Sequence, residues 1–402
     1  MGEQILRNYG ERLPKTLLLC RNIPPAPTGA SVVVANLAKQ FGPDEMVVLG
    51  AYYLRTPSQA WSAEWPRLLY AVVQLPDGWR GARWLKWFQF PLLFLRGLWT
   101  IVTNRCKAIL VVFPDDVFLL AAYLLARLTG TPLFPYFHNT YLENQPNSRL
   151  AHWLQPRVFA SARHVFVMSE GMQRLYRANY PTLSCSPLVH TFNRPLPEPD
   201  EVTLPPVHEP LRLVLFGNVG ASNADAVVRF AELARSRNDV ALTVISGTSH
   251  SYLRQLGFTG EHITIETVSH DVLMERLTES DIILLPHGFE GDIAAEEIAT
   301  IFPTRTVEAL ISQRPILAHL PKDCFLAEFL RHHKCALIVD EPELEPLGAA
   351  LDQLRCDEAL RYSLVRRAMA AARQFQASTV AARLCETIDD GKVATGDRLQ
   401  AT

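Results

Sequence analysis

Arg305 and Glu308 stand three residues apart just after Pro303 and Thr304, in the run FPTRTVEALI. Proline suits the first position of a helix, which needs no N–H. Pro303 therefore predicts a helix whose opening amides, those of Thr304, Arg305 and Thr306, stay free. Free amides at the positive end of a helix favour an anion, and the Arg305 guanidinium adds a full charge beside them. A phosphate would sit well there, with Glu308 about one turn further in, placed to hold a hydroxyl of whatever carries it. The same residues also make an ordinary helix start with a solvated Arg and Glu, and local sequence does not separate the two. Apolar runs bracket the stretch, Ile282 to Leu285 before Pro286 and Pro315 to Ala318 after the helix. They predict two buried strands that hold a long polar loop and the helix between them.

A second candidate is His138, followed by Asn139 directly after the apolar run Leu133 to Phe137. A lone histidine is more often a structural group than a chemical one, but the end of a strand is where functional side chains gather. The pair Asp115-Asp116 could attract a divalent metal. With no third ligand in sight it reads as the N-cap of a helix that begins near Val117.

The elements that must position these residues alternate. Strands are predicted at Leu17–Cys20, Met46–Leu49, Ile109–Phe113, Leu133–Phe137 and His164–Met168, with helices over Ser31–Phe41, Val117–Leu128 and Ser148–Phe159. After a stretch with six prolines, Arg194 to Pro210, the alternation restarts. It runs through strands Leu211–Phe216, Ala241–Ser246 and Ile263–Glu266, a Gly217-Asn218-Val219-Gly220 turn, and helices Asn223–Arg235, Ser251–Leu256 and Asp271–Glu279. A last strand at Cys335–Val339 and helices over Glu343–Arg355 and Glu358–Ile388 precede a disordered tail from Gly391. Strand and helix in alternation imply α/β architecture with doubly wound parallel sheets, which bind ligands at their carboxyl edges. A polyproline-like spacer between two such series divides the chain into a first domain over 1–193, a linker over 194–210, a second domain over 211–375 and a closing helix and tail over 376–402.

The 402 residues, with 48% hydrophobic and 20% charged, suit two globular domains. A net charge of −2 gives no global attraction to nucleic acid. Seven scattered cysteines without a CxxC pair point to a reducing compartment and away from zinc. No apolar run reaches the length of a transmembrane helix.

In order along the chain, several motifs resemble those of the GT-B glycosyltransferases, specifically the family 4-like retaining enzymes. PPAPTG (Pro24–Gly29) resembles the family's PPxxGG loop, FHNTY (Phe137–Tyr141) its HD motif, and VFVMSEGMQRLY (Val165–Tyr176) and PLVHTFNRP (Pro187–Pro195) the segments that lead to the linker. In the second half LVLFGNVG, SDIILLPHGFEG and FPTRTVEALISQRPILA resemble the family's glycine turn and its paired-glutamate region. The resemblance implies two Rossmann-like domains and transfer of a sugar from a nucleotide-sugar donor to a glycan or lipid-linked acceptor, with retention and with neither metal nor cofactor. It implies that Gly29, Gly217, Gly220, Thr304 and Arg305 meet the diphosphate, that Glu308 holds the ribose, Glu290 the donor sugar, and that His138 lies near the reacting carbon.

Four departures accompany the resemblance. Glu290 and Glu308 are separated as if ten residues were inserted between them. The basic pair usual after the glycine turn is absent, leaving Arg305 as the main cation. Gln313 replaces a glycine at a left-handed position, and Asn139 replaces an aspartate. Catalytically silent binding of a sugar or a partner enzyme, and sugar-nucleotide epimerisation, are the alternative readings. The run from Gly78 to Lys107 carries six basic and several aromatic side chains and no acid, which suits an anionic membrane surface or a helix pair packed on the first sheet. The enzyme is thus expected in the cytoplasm, peripheral on the inner membrane face, building a surface polysaccharide or glycolipid.

Overall fold

The computed structural model describes residues 12–23, 29–53, 65–74, 82–291 and 293–399. Pro24–Thr28 of the proline loop and residues 78–81 of the basic run lie outside them. The chain divides into two compact units, one of residues 1–168, 176–193 and 377–402, the other of 169–175 and 194–376.

The first unit is built on a seven-stranded sheet. Its elements are β1 (Thr16–Cys20), α1 (Gly29–Ala38), β2 (Met46–Tyr53), β3 (Arg67–Gln74), α2 (Ala82–Phe88), α3 (Phe90–Asn104) and β4 (Ala108–Phe113). Then come α4 (Asp116–Thr129), β5 (Leu133–Phe137), α5 (Arg149–Ser161), β6 (Val165–Val167), α6 (Glu170–Asn179) and β7 (Cys185–Pro187). The strands lie in the order β3-β2-β1-β4-β5-β6-β7, all pairs parallel. β1 and β4 are buried at every position, as central strands covered on both faces must be. Asp115 caps α4 as its sequence implied, accepting from the amides of Val117 at 3.0 Å and Phe118 at 3.1 Å. It also takes the Arg21 guanidinium at 2.9 Å.

The second unit has six parallel strands in the order β10-β9-β8-β11-β12-β13. They are β8 (Leu211–Phe216), β9 (Val240–Ile245), β10 (Ile263–Glu266), β11 (Ile282–Pro286), β12 (Ile316–His319) and β13 (Leu337–Val339). Helices α7 (Ala224–Arg235), α8 (His250–Gln255), α9 (His270–Thr278), α10 (Ala295–Thr300), α11 (Arg305–Ile311), α12 (Phe325–His333), α13 (Leu344–Cys356) and α14 (Glu358–Ala372) connect or cover them. In both sheets the order reverses beside the first strand of the unit, β1 or β8. The connections there leave to opposite faces and open a crevice at the carboxyl edge.

Three expectations need correction. The proline-rich stretch, expected as a semi-rigid extended spacer, is packed on the rest of the second unit: Leu196, Val202 and Leu204 lie on Val365 and Met369, and the His208 ring meets Asp281 at 2.9 Å. Apolar side chains spaced between its prolines give it a surface to cover. The single helix over 358–388 is broken by a 3-10 turn at Arg373–Phe375, after which α15 (Ala377–Leu399) begins. Val380, Ala381, Leu384, Cys385 and Ile388 of α15 join the core of the first unit, and its backbone stays helical past Gly391 to Leu399, where a disordered tail was expected.

Gln313 has φ 59°, the left-handed conformation expected of it, one residue past the C-cap Ser312 of α11. A side chain there costs about 1 kcal/mol relative to glycine. Gln313→Gly is therefore expected to raise the unfolding free energy by about 1 kcal/mol in a denaturant titration.

Candidate active site

At the crevice of the second sheet, the turn after β8 begins with Gly217 at φ 89°. A Cβ there would also lie 3.1 Å from Cζ of Arg305. Glycine is needed twice over, for the backbone and for the approach of the guanidinium. Arg305 Nη1 donates to Phe216 O at 3.2 Å and Nη2 donates to Asn218 O. The cation is thus fixed against the turn it was expected to complement. Gly220 meets nothing within 4 Å of a built Cβ, and its amide donates to Asn223 Oδ1 at 2.9 Å.

α11 begins at Arg305, with Thr304 as its N-cap, two residues later than Pro303 implied. The Thr306 amide donates to Pro303 O at 2.9 Å and that of Val307 to Thr304 O at 3.1 Å. Of the three amides expected to be free, Thr306 is therefore engaged, because the chain tightens into a 3-10 turn before the helix. A helix of seven residues has a small dipole. The Arg305 charge then carries most of the positive potential.

Burial lowers the Arg305 pKa to about 10, which leaves it charged at neutral pH. Glu308, three positions on and so on the same face, has its pKa raised to about 7 by burial, opposed by its own amide and by Arg305. Its Oε2 is buried without a hydrogen-bond partner. An orphaned carboxylate oxygen is costly, and a ligand with hydroxyl donors would remove that cost.

The loop after β11 is pinned to the loop after β8. Asp225 Oδ2 accepts from the amides of Phe289 at 3.0 Å and Glu290 at 3.4 Å and from Arg229 Nη2 at 2.9 Å. The Gly288 amide donates to Ser222 O at 2.8 Å. A Cβ on Gly291 would come within 2.0 Å of Ala221 O, so only glycine allows this approach. Gly291→Ala is expected to lower the melting temperature by several degrees, the loop having to move for roughly 1–2 kcal/mol. The main chain of Glu290 is thereby fixed, and its side chain is exposed. The excursion between Glu290 and Phe302 contains the six-residue α10, and His287 Nε2 donates to Ile298 O at 2.8 Å, tying it to the end of β11.

Asp225, Arg229 and His319 escaped sequence reasoning. Arg229 Nε donates to His319 Nε2 at 2.7 Å, and His319 Nδ1 lies 3.2 Å from Val339 O. The carbonyl requires a proton on Nδ1, and the arginine requires a lone pair on Nε2. His319 is thus neutral, consistent with a pKa lowered to about 4, chiefly by burial. Arg229 also stacks over Phe289, with Cζ 4.6 Å from the ring centroid. The only signal in the sequence was the i,i+4 pairing of Asp225 with Arg229.

His138 and Gly29 belong to the first unit. Gly29 opens α1 and is exposed. His138 follows β5 at the carboxyl edge, buried, with Nε2 unpartnered and its ring centroid 4.3 Å from that of Tyr136. Burial, and secondarily His190, hold its pKa well below the ordinary value, so the ring is neutral. Among the described residues no group of three or more His, Cys, Asp or Glu is placed to hold a metal ion.

Residues 28–182 match the family model for a glycosyl transferase 4-like domain. No curated protein matches the sequence. Among solved structures, sucrose-phosphate synthase from Thermosynechococcus elongatus superposes with a TM-score of 0.72 at 14% identity, covering 95% of this chain and 100% of that one. Anabaena HepE in complex with UDP and glucose gives 0.67 at 15% identity, over 94% and 100%. The lipopolysaccharide outer core galactosyltransferase WaaB gives 0.60 at 11%, over 95% and 99%. With two parallel Rossmann-like sheets and these neighbours, the chain has the GT-B fold, and its residues 28–182 match the model of a glycosyl transferase 4-like domain.

Proposed function

We propose that the chain transfers a sugar, with retention and without metal, from a nucleotide-sugar donor to a glycan or lipid-linked acceptor. The observation that carries this reading is the buried, unpartnered Oε2 of Glu308 beside the Arg305 guanidinium at the crevice of the second sheet. A nucleoside diphosphate offers both complements, ribose hydroxyls for the carboxylate and phosphate oxygens for the cation. HepE, which shares the fold, has been seen with UDP and with UDP-glucose, so uridine donors are the first to test.

In this reading Arg305 stabilises the negative charge that develops on the departing diphosphate, already oriented by the carbonyls of Phe216 and Asn218. Glu308 holds the ribose and Glu290 the sugar, with Thr304, Gly217 and Gly220 lining the approach of the phosphates. On the first unit Gly29 would face the diphosphate. His138, neutral and with one ring nitrogen unpartnered, would bond a sugar hydroxyl near the reacting carbon.

Thermal shift with a panel of nucleoside diphosphates and their sugars tests the reading, because a ligand at a hundredfold its Kd stabilises by about 2.7 kcal/mol. One nucleotide class should raise the melting temperature and be turned over. A binding-only reading has the exposure of Glu290 in its favour. It requires the same shift with neither transfer nor hydrolysis.

A further inference from the structure

The helix pair α2–α3 was expected either to lie on a membrane or to bury its aromatics on the first sheet. α3 packs inward through Leu93, Gly97, Thr100 and Ile101, with Gly97 so close to α4 that a Cβ would lie 2.5 Å from Leu125 Cδ1. Gln89, at the break between the helices, pairs with both main-chain groups of Val73 on the edge strand β3, at 2.6 and 3.0 Å. The inner face is therefore used, and while Trp87, Phe90 and Phe94 are half-buried, three large aromatics stay outside it. Trp84, Phe88 and Trp99 are 70%, 80% and 71% exposed.

With Leu92, Leu95 and Val102, also exposed, they recur at intervals of four, four, three, four and three residues. That spacing is one face of a helix. A soluble surface scatters such side chains singly, so a continuous stripe of six marks a surface that is covered in use. The charge beside it is of one sign. Between Asp77 and Asp115 the sequence has no Asp or Glu. Lys86 is turned inward to Asp116 at 2.5 Å, but Arg96, Arg105 and Lys107 are exposed.

A second observation points to the same occupant. Beside the stripe, between β3 and α3, lies a cleft of about 240 Å³ lined by Arg67, Tyr70, Arg96, Trp99 and Asn104. It offers two guanidinium groups, a tryptophan and an amide, and no carboxylate among its lining residues. Arg96 is aimed by its bond to Tyr70 O. This is the polar complement of a phosphate ester, placed next to the apolar complement of acyl chains.

We propose that the outer face of α2–α3 docks on the surface of an anionic lipid bilayer, with the stripe entering the headgroup–acyl boundary and the Arg67–Arg96 cleft receiving a lipid phosphate. The helices lie on the membrane and do not cross it, since among the described residues no helix is long and apolar enough to span. The docking needs no catalytic activity and is independent of the donor site.

Co-sedimentation of the full chain with phosphatidylcholine vesicles, with and without phosphatidylglycerol, tests this. At low salt the partition onto phosphatidylglycerol vesicles should exceed that onto neutral ones by about tenfold or more, and should fall as salt screens it. Arg67→Gln with Arg96→Gln should lower binding to the anionic vesicles about tenfold to thirtyfold and largely abolish the lipid preference. Trp84→Ser with Trp99→Ser should lower binding to both. These side chains are exposed, so melting temperatures should stay at the wild-type value. If the tryptophan pair misfolds, the arginine pair decides alone. Equal partition onto the two vesicles, no partition at all, or wild-type binding by the arginine pair would overturn the proposal. So would a dimer in sedimentation velocity that Trp99→Ser dissociates, which would give the face to a second copy of the chain.

Discussion

Arg305→Ala is expected to weaken nucleoside-diphosphate binding by about 1.5–3 kcal/mol, the range for a charged hydrogen bond, or roughly 10- to 150-fold in Kd. The sequence from Gly217 to Val228 has no Lys or Arg, and the Arg305 guanidinium is the group set against Gly217. The substitution also removes donors from Phe216 O and Asn218 O, so part of the loss could be a displaced turn. Arg305→Lys separates the two effects. It keeps the charge but cannot bridge both carbonyls while facing a phosphate. Intermediate affinity for the lysine variant, with an unchanged melting curve, would assign the loss to the anion, whereas calorimetry showing wild-type affinity for Arg305→Ala would remove the residue from the site.

A second large effect is asymmetric. Glu290→Ala should leave the affinity for the free diphosphate intact and lower transfer by about a hundredfold or more, because only this glutamate would touch the part of the donor that reacts. Glu308→Ala should instead weaken every ligand that carries the nucleoside. Steady-state kinetics and calorimetry on the two variants give both readings. Equal losses in binding for both would contradict the division of roles, and unchanged turnover in Glu290→Ala would take that residue out of the chemistry.

Glu308 adds a pH signature with a definite sign. Its folded pKa, about 7, lies above its ordinary value of 4.5. Between those values the folded chain holds a proton that the unfolded chain releases, so stability falls as pH rises through the window and levels off above it. Glu308→Gln should flatten that slope and raise stability near pH 8 by about 1–3 kcal/mol.

Much of this was legible from the chain. The strands of both sheets near their centres, β1, β4, β8 and β11, are apolar runs closed by turn residues, and burial on two faces leaves no other pattern. β3 was not found because an edge strand needs no continuous apolar run, and RLLYAVVQ is mostly half-buried. β7 has three residues and exists only through its partner β6. The insertion before Phe302 could be counted in sequence, but its helix α10 could not be read, since its register depends on His287 reaching Ile298. Within the candidate site, the pairing of Arg305 with Glu308 on one face of α11 was legible from their local spacing. Asp225 and Arg229 lie on α7 and His319 ends β12, and only the folded sheet edge brings the two elements together. Conversely, the free Thr306 amide was a local inference that the turn at Pro303 overrode.

Titration of the intact chain with uridine, guanosine and adenosine diphosphates between about pH 6 and 8, with Glu308→Gln alongside, tests the donor site most directly. Hydroxyl donors favour the ionised carboxylate, so binding should expel its proton. The wild-type chain should select one base, with affinity that strengthens as pH rises towards about 7 and with proton release larger than that of the variant. Failure of all three diphosphates to bind, or identical affinity and proton release in the two proteins, would contradict a nucleotide held by Arg305 and Glu308.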